Sequence, residues 1–184
     1  MGGWSAFLGA ISHKRNIGFE ASVCGEIPII EVISSLPSNS DIKGLEGILN
    51  GTCNYILTRM EEGIDYSDAL TQAQKKGFAE ANPRFDVDGH DAAQKLAISA
   101  SLIFGYRVEV PQITRESITP IASEDIRHAK AFGYKIKQLA LARQHAPEVL
   151  ELRVGPTLVP YAGDMLASVR DENNAVSLYL HERE

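Results

Sequence analysis

The chain has 184 residues, with 24 acidic against 18 basic side chains and a formal net charge of -6. That length suits one substantial domain able to bury a real core. The acidic balance argues against nucleic acid as a partner, because phosphate binding needs a basic face. No apolar run is long enough for a membrane span, and the start, Met1-Gly2-Gly3-Trp4, lacks the basic leader of a signal peptide. Cys24 and Cys53 form neither a disulfide framework nor a zinc pattern, and free thiols suit a reducing cytoplasm.

Phe7, Leu8 and Ile11 repeat at helical spacing, so residues 5–16 are predicted as a short helix. Phe19 to Val23 reads as a short strand entering a turn at Cys24-Gly25-Glu26. Pro28 can open the next helix, which carries Ile29, Ile30, Val32 and Ile33 and fades at Leu36-Pro37. A strand from Ile42 to Leu49 follows, then a tight turn at Asn50-Gly51 and a helix from Thr52 to Glu61. Asp65 or Ser67 caps a helix that runs to about Lys76 and stops at Gly77. Phe78 to Gly89 is predicted as a loop, and Asp91 to Phe104 as a strong helix. Beyond Gly105 the pattern becomes β-like at Arg107–Val110, Tyr134–Ala142, Val149–Val154 and Ala175–Leu180, with one helix from Ser123 to about Lys130. The fold class expected is α+β: a mixed, mostly antiparallel sheet with helices packed on one face. The exposed alternation of residues 149–154 and 175–180 points to self-association through strand edges.

The chemistry concentrates in Glu80-Ala-Asn-Pro-Arg-Phe-Asp86-Val-Asp88-Gly-His-Asp91-Ala-Ala-Gln-Lys95. Asp91 and Lys95 are four apart and share a helix face that continues through Ile98 and Leu102. A charged pair on a face that turns apolar is costly to bury unless paired or met by a ligand. An ordinary surface ion pair is one reading of it. The carboxylates at 80, 86, 88 and 91 also repel one another unless a cation joins them. One candidate is calcium, since Asp86-x-Asp88-Gly is like a calcium loop, although the full spacing with a terminal Glu is missing. The other is a substrate bearing an ammonium group, with Lys95 beside it to give or take a proton. His90 most simply faces water, and His13, His128, His145 and His181 share no metal spacing.

Gly47-Ile-Leu-Asn-Gly-Thr-Cys-Asn-Tyr-Ile-Leu57 and Gly77-Phe-Ala-Glu80 through Lys95 resemble two motifs of homoserine dehydrogenase, and Glu20-Ala-Ser-Val-Cys-Gly-Glu-Ile-Pro28 is a weaker match. The resemblance runs from about residue 16 to the end. It implies an oxidoreductase that interconverts L-aspartate 4-semialdehyde and L-homoserine with NAD(P), on the route to threonine, methionine and isoleucine, in the cytoplasm and as a homodimer. On that resemblance Lys95 is the proton donor to the aldehyde oxygen, with Asp91 also at the catalytic centre. Gly77, Glu80, Asp86, Asp91 and Thr52 would bind the amino acid, and Gly51, Thr52 and Asn54 would border the nicotinamide. Glu20, Val23, Gly25 and Ile27 match a site for a monovalent cation, Na+ or K+, built largely from backbone carbonyls. Glu26 stands where the family commonly has glycine, and Asn82 where aspartate is common.

No G-x-G-x-x-G occurs in the chain, and the family's second lysine, carried by its nucleotide-binding domain, has no counterpart here. Residues 1–184 therefore read as the substrate-binding and dimerisation domain without the Rossmann domain, and as inactive alone. The alternative is a non-catalytic amino-acid-binding or oligomerisation module.

Overall fold

The computed structural model describes residues 18–36, 42–147 and 149–180; the helix expected at 5–16 lies outside them. Instead of the strand expected at Phe19–Val23, a 3-10 turn spans Glu20–Ser22. Its cause is the Glu20 carboxylate, which turns back to accept the N–H groups of Ile30 at 2.8 Å and Glu31 at 3.1 Å. Those are orphan donors of the following helix, α1 (Ile29–Ser35), whose preceding Pro28 has no capping side chain. Strand β1 (Ile42–Ile48) leads into α2 (Gly51–Glu61) and α3 (Tyr66–Lys75). The tight turn expected at Asn50-Gly51 is instead the start of α2, because the Asn50 side chain accepts the Cys53 N–H and caps the helix.

The segment expected as loop contains one helical turn, α4 (Arg84–Val87), opened by Pro83. Gly89, at φ 75°, then redirects the chain into α5 (His90–Phe104), which ends at Gly105, φ 74°. No strand forms at Arg107–Val110. Pro111 and a Gln112 side chain bonded back to Glu109 N make a 3-10 turn there, and only β2 (Thr114–Arg115) follows. Helix α6 (Ser123–Ala131) precedes β3 (Tyr134–Ala146), β4 (Val149–Pro160) and β5 (Ala175–Leu180). Both β3 and β4 run past their expected ends. Past the short β2, β4 continues through Gly155 and Pro156 with one side unpaired, where proline is tolerated.

The sheet order is β2-β4-β3-β1-β5, antiparallel except for the β2–β4 pair. The fold class is the α+β one expected. Helices α1 and α5 bury Ile29, Ile33, Ala92, Ala93, Leu96 and Ala100 against Leu45, Ala140, Ala142 and Val154 of the sheet. A second core joins α2, α3 and α6 around Ile56, Leu57, Ala69, Ala73, Ile118 and Ile126, with Ile136 of β3. Truncating a fully buried leucine such as Leu96 or Leu57 would cost about 3 kcal/mol. Leu139 and Ala140 are consecutive on β3 and so face opposite sides. On the Leu139 side, Ile48 and Val159 meet a 3-10 turn, Met165–Ser168. Among the described residues no helix is long and apolar enough to cross a membrane.

Candidate active site

The two large cores meet along a polar seam. Leu49 belongs to the α5 core and Cys53 to the α2 core, with Asn50 between them; Val87 belongs to the α2 core and Ala92 to the α5 core, with the Gly89 bend between them. The charged side chains converge at this seam.

Lys95 Nζ donates to Asp91 Oδ2 at 2.7 Å and to the Leu49 carbonyl at 2.9 Å. Both side chains are about one-fifth exposed, 22% and 21%, so the pair is sheltered from solvent without being sealed from it. An ammonium group has three donors, which leaves one for a further acceptor. Asp91 stands in the first turn of α5, where the helix dipole favours a carboxylate. Asn50 is 4% exposed and donates one amide hydrogen to Asp86 Oδ1 at 2.8 Å and the other to Asp91 Oδ2 at 2.9 Å. Burial pushes the Asp86 carboxyl up. The Asn50 donor opposes this, Asp91 adds to it, Lys95 opposes it, and Glu80 adds again. The exposed Glu80 thus lies within reach of the cluster. The arrangement is a net-acidic cluster that Lys95 joins as its cation.

Other sequence candidates fall around the cluster. Gly77 takes φ 82° at the end of α3. Thr52 is buried and donates its hydroxyl to the Phe78 carbonyl at 2.6 Å, pinning the Phe78–Glu80 segment against α2. Gly51 lies under the Glu172 carbonyl oxygen, which a Cβ there would strike. Asn54 is turned away from the cluster: its amide donates to Asn173 O at 3.1 Å, and its oxygen accepts from the fully buried Lys137 at 3.2 Å. Asp88 also leaves the cluster, accepting from Ser117 at 2.8 Å, so Asp86 and Asp88 do not share a cation as a calcium loop would require. Among the described residues no group of three or more His, Cys, Asp and Glu could hold a metal. Glu20, Val23, Gly25 and Ile27 form a tight turn with Cys24 at φ 59° and Gly25 at φ 58°. Cys24 is buried there, near enough to Lys95 and Asp91 to feel both charges.

Asn50 is the residue that sequence reading missed. It stands before an apolar helix, as a capping residue does, but nothing in the linear order shows that its amide spans two carboxylates 36 and 41 residues away. An open depression of about 330 Å³ lies along β2 and β4 beside Glu116 and Arg153, and no residue of the acidic cluster lines it.

A profile of the family described as homoserine dehydrogenase matches residues 28–183. The chain belongs to the homoserine dehydrogenase family. It is 47% identical over 163 residues to the homoserine dehydrogenase of Helicobacter pylori, covering 88% of this chain and 38% of that protein. It is 45% identical over 161 residues to the Pseudomonas aeruginosa enzyme, covering 87% of this chain and 37% of that one. The crystal structure of a homoserine dehydrogenase from Thiobacillus denitrificans superposes with a TM-score of 0.88 at 40% identity, over 95% of this chain and 40% of that one. The chain thus spans well under half the length of these relatives.

Proposed function

We propose that this chain supplies the substrate site and the proton donor of an enzyme that interconverts L-homoserine and L-aspartate 4-semialdehyde. The observation that supports this most is Lys95, held by Asp91 and the Leu49 carbonyl with a third donor left over, among the carboxylates of the cluster. In the whole enzyme a nicotinamide, NAD or NADP, exchanges the hydride. The described residues do not fit the dinucleotide's phosphates. The N-termini of α2 and α5 at the cluster carry the Asn50 oxygen and the Asp91 carboxylate, and further carboxylates surround them.

Reduction of the aldehyde turns its carbonyl oxygen into an alkoxide. The free donor of Lys95 gives that oxygen a proton, and in the reverse direction the lysine takes it back from the hydroxyl. Asp91 keeps the lysine in place through both steps. Asp86, Asp91 and Glu80 offer negative charge to the substrate's ammonium group, and Gly77 and Thr52 fix the segment that carries Glu80. Gly51, Thr52 and Asn54 border the nicotinamide side. The carbonyls around Glu20, Val23, Gly25 and Ile27 serve Na+ or K+; those of Glu20 and Ile27 already accept an N–H but keep a second lone pair. The enzyme acts as a homodimer in the cytoplasm, in the synthesis of threonine, methionine and isoleucine.

The test joins this chain to a nucleotide-binding domain and follows nicotinamide absorbance. Lys95→Ala should lower kcat by about 10²- to 10⁴-fold while homoserine still binds. Turnover that survives the substitution would show that the proton comes from elsewhere.

A further inference from the structure

We propose that Asn50 is a positioning residue for this site: it sets the gap between Asp86 and Asp91 and, through Asp91, the place of Lys95. The proposal rests on the cluster being the homoserine site.

Three bonds fix the Asn50 amide. Its oxygen accepts from Cys53 N at 2.9 Å, and its nitrogen donates at 2.8 Å to Asp86 and 2.9 Å to Asp91. This orientation is the only one the partners allow, since carboxylates need donors and a backbone N–H needs an acceptor. The residue is 4% exposed, so its side chain does not drift between solvent and site. Asp86 comes from α4 and Asp91 from α5, on either side of the Gly89 bend. Asn50 comes from neither and is the described side chain that bonds to both. Its backbone neighbour, Leu49, supplies the carbonyl that holds Lys95. One short segment, Leu49-Asn50, thus meets all three charged groups.

A neutral double donor suits that place. Two carboxylates that face each other need a partner which lowers their repulsion without neutralising them, because the substrate's ammonium needs their charge. A lysine or arginine there would compete with the substrate, and a serine has one hydrogen to give. The other titratable groups around the pair are Lys95, Glu80 and Asp88, with the buried thiols of Cys53 and Cys24.

Capping alone is separable from positioning, because serine and aspartate both cap helices well. Asn50→Ser and Asn50→Asp should fold with an unchanged circular dichroism spectrum. Each should weaken homoserine binding by calorimetry about tenfold or more, the scale of lost bonds to charged groups. Carboxyl carbon NMR should show the Asp86 titration moving to higher pH in both, and further in Asn50→Asp. Unchanged Asp86 titration in the folded variants would reduce Asn50 to a helix cap and overturn the proposal. If Asn50→Asp does not fold, Asn50→Ser carries the same comparison. If the parent chain binds no homoserine but the Asp86 titration moves as described, positioning stands and the substrate reading falls.

Discussion

Replacing Asp86 with asparagine should make the chain more stable and less able to bind its substrate. The two hydrogens of the Asn50 amide diverge by about 120°, so the Asp86 and Asp91 oxygens they reach lie roughly 5 Å apart. Two like charges at that separation repel by about 3 kcal/mol at an effective dielectric constant of roughly 20. Both groups are partly open to water and Lys95 offsets part of the field, so about 1 kcal/mol is the gain to expect from Asp86→Asn. In a chain of this size that raises Tm by about 2–4 °C. The pH dependence follows from the direction of the Asp86 shift. Its folded carboxyl titrates above the unfolded value of roughly 3.9. Between those two values the folded chain holds a proton that the unfolded chain has lost, so stability falls as pH rises through that window. Above the folded value the penalty is complete; below the unfolded one it is gone. The variant should therefore lead the parent at pH 7, and the lead should vanish near pH 3 in scanning calorimetry. Homoserine in excess should raise the parent's Tm and leave the variant's unchanged. A variant less stable than its parent at pH 7 would refute the view that the site stores repulsion for a cation to relieve.

Three further outcomes follow. Gly51→Ala should lose about 1–3 kcal/mol in urea unfolding, because its new methyl meets the Glu172 carbonyl oxygen, a backbone atom that cannot swing aside. Lys137→Ala should cost about 3 kcal/mol in the same assay, since it strips donors from Asn54 and the Val169 carbonyl and leaves Glu61 with Lys135 alone. Burial pushes the Cys24 thiol up to about 11 and the Cys53 thiol well up as well, so an aromatic disulfide reagent at pH 8 should react with neither until the chain unfolds; prompt reaction of the native chain would contradict that.

Much of the fold was legible because the elements announce themselves locally. The α5 pattern, the Gly77 stop and the β5 alternation sit where expected, and Asp91 and Lys95 do pair across one helical turn. The misses share a physical cause: a distant partner overrode a local preference. Glu20 reaches ten residues along the chain to cap α1 and so converts an apparent strand into a turn. The strand expected to end at Val154 runs on through Pro156, because β2 is only two residues long and leaves that part of β4 with an open side. Asn50-Gly51 looks like a tight turn because sequence cannot show that Asp86 and Asp91 wait for its amide. The partners of Asn54, Lys137 and the Asn173 carbonyl, are likewise invisible in the linear order because both come from far along the chain.

The polar seam between the two large cores also bears on how the protein tolerates change. Residues of the α5 core and of the α2 core share few apolar neighbours, and substitutions that share no partner add their effects. Each core can thus drift or be redesigned as a thermodynamic module of its own. What must stay in register is the boundary, where Leu49-Asn50 and the Gly89 bend hold the two modules at the spacing that the carboxylates and Lys95 require.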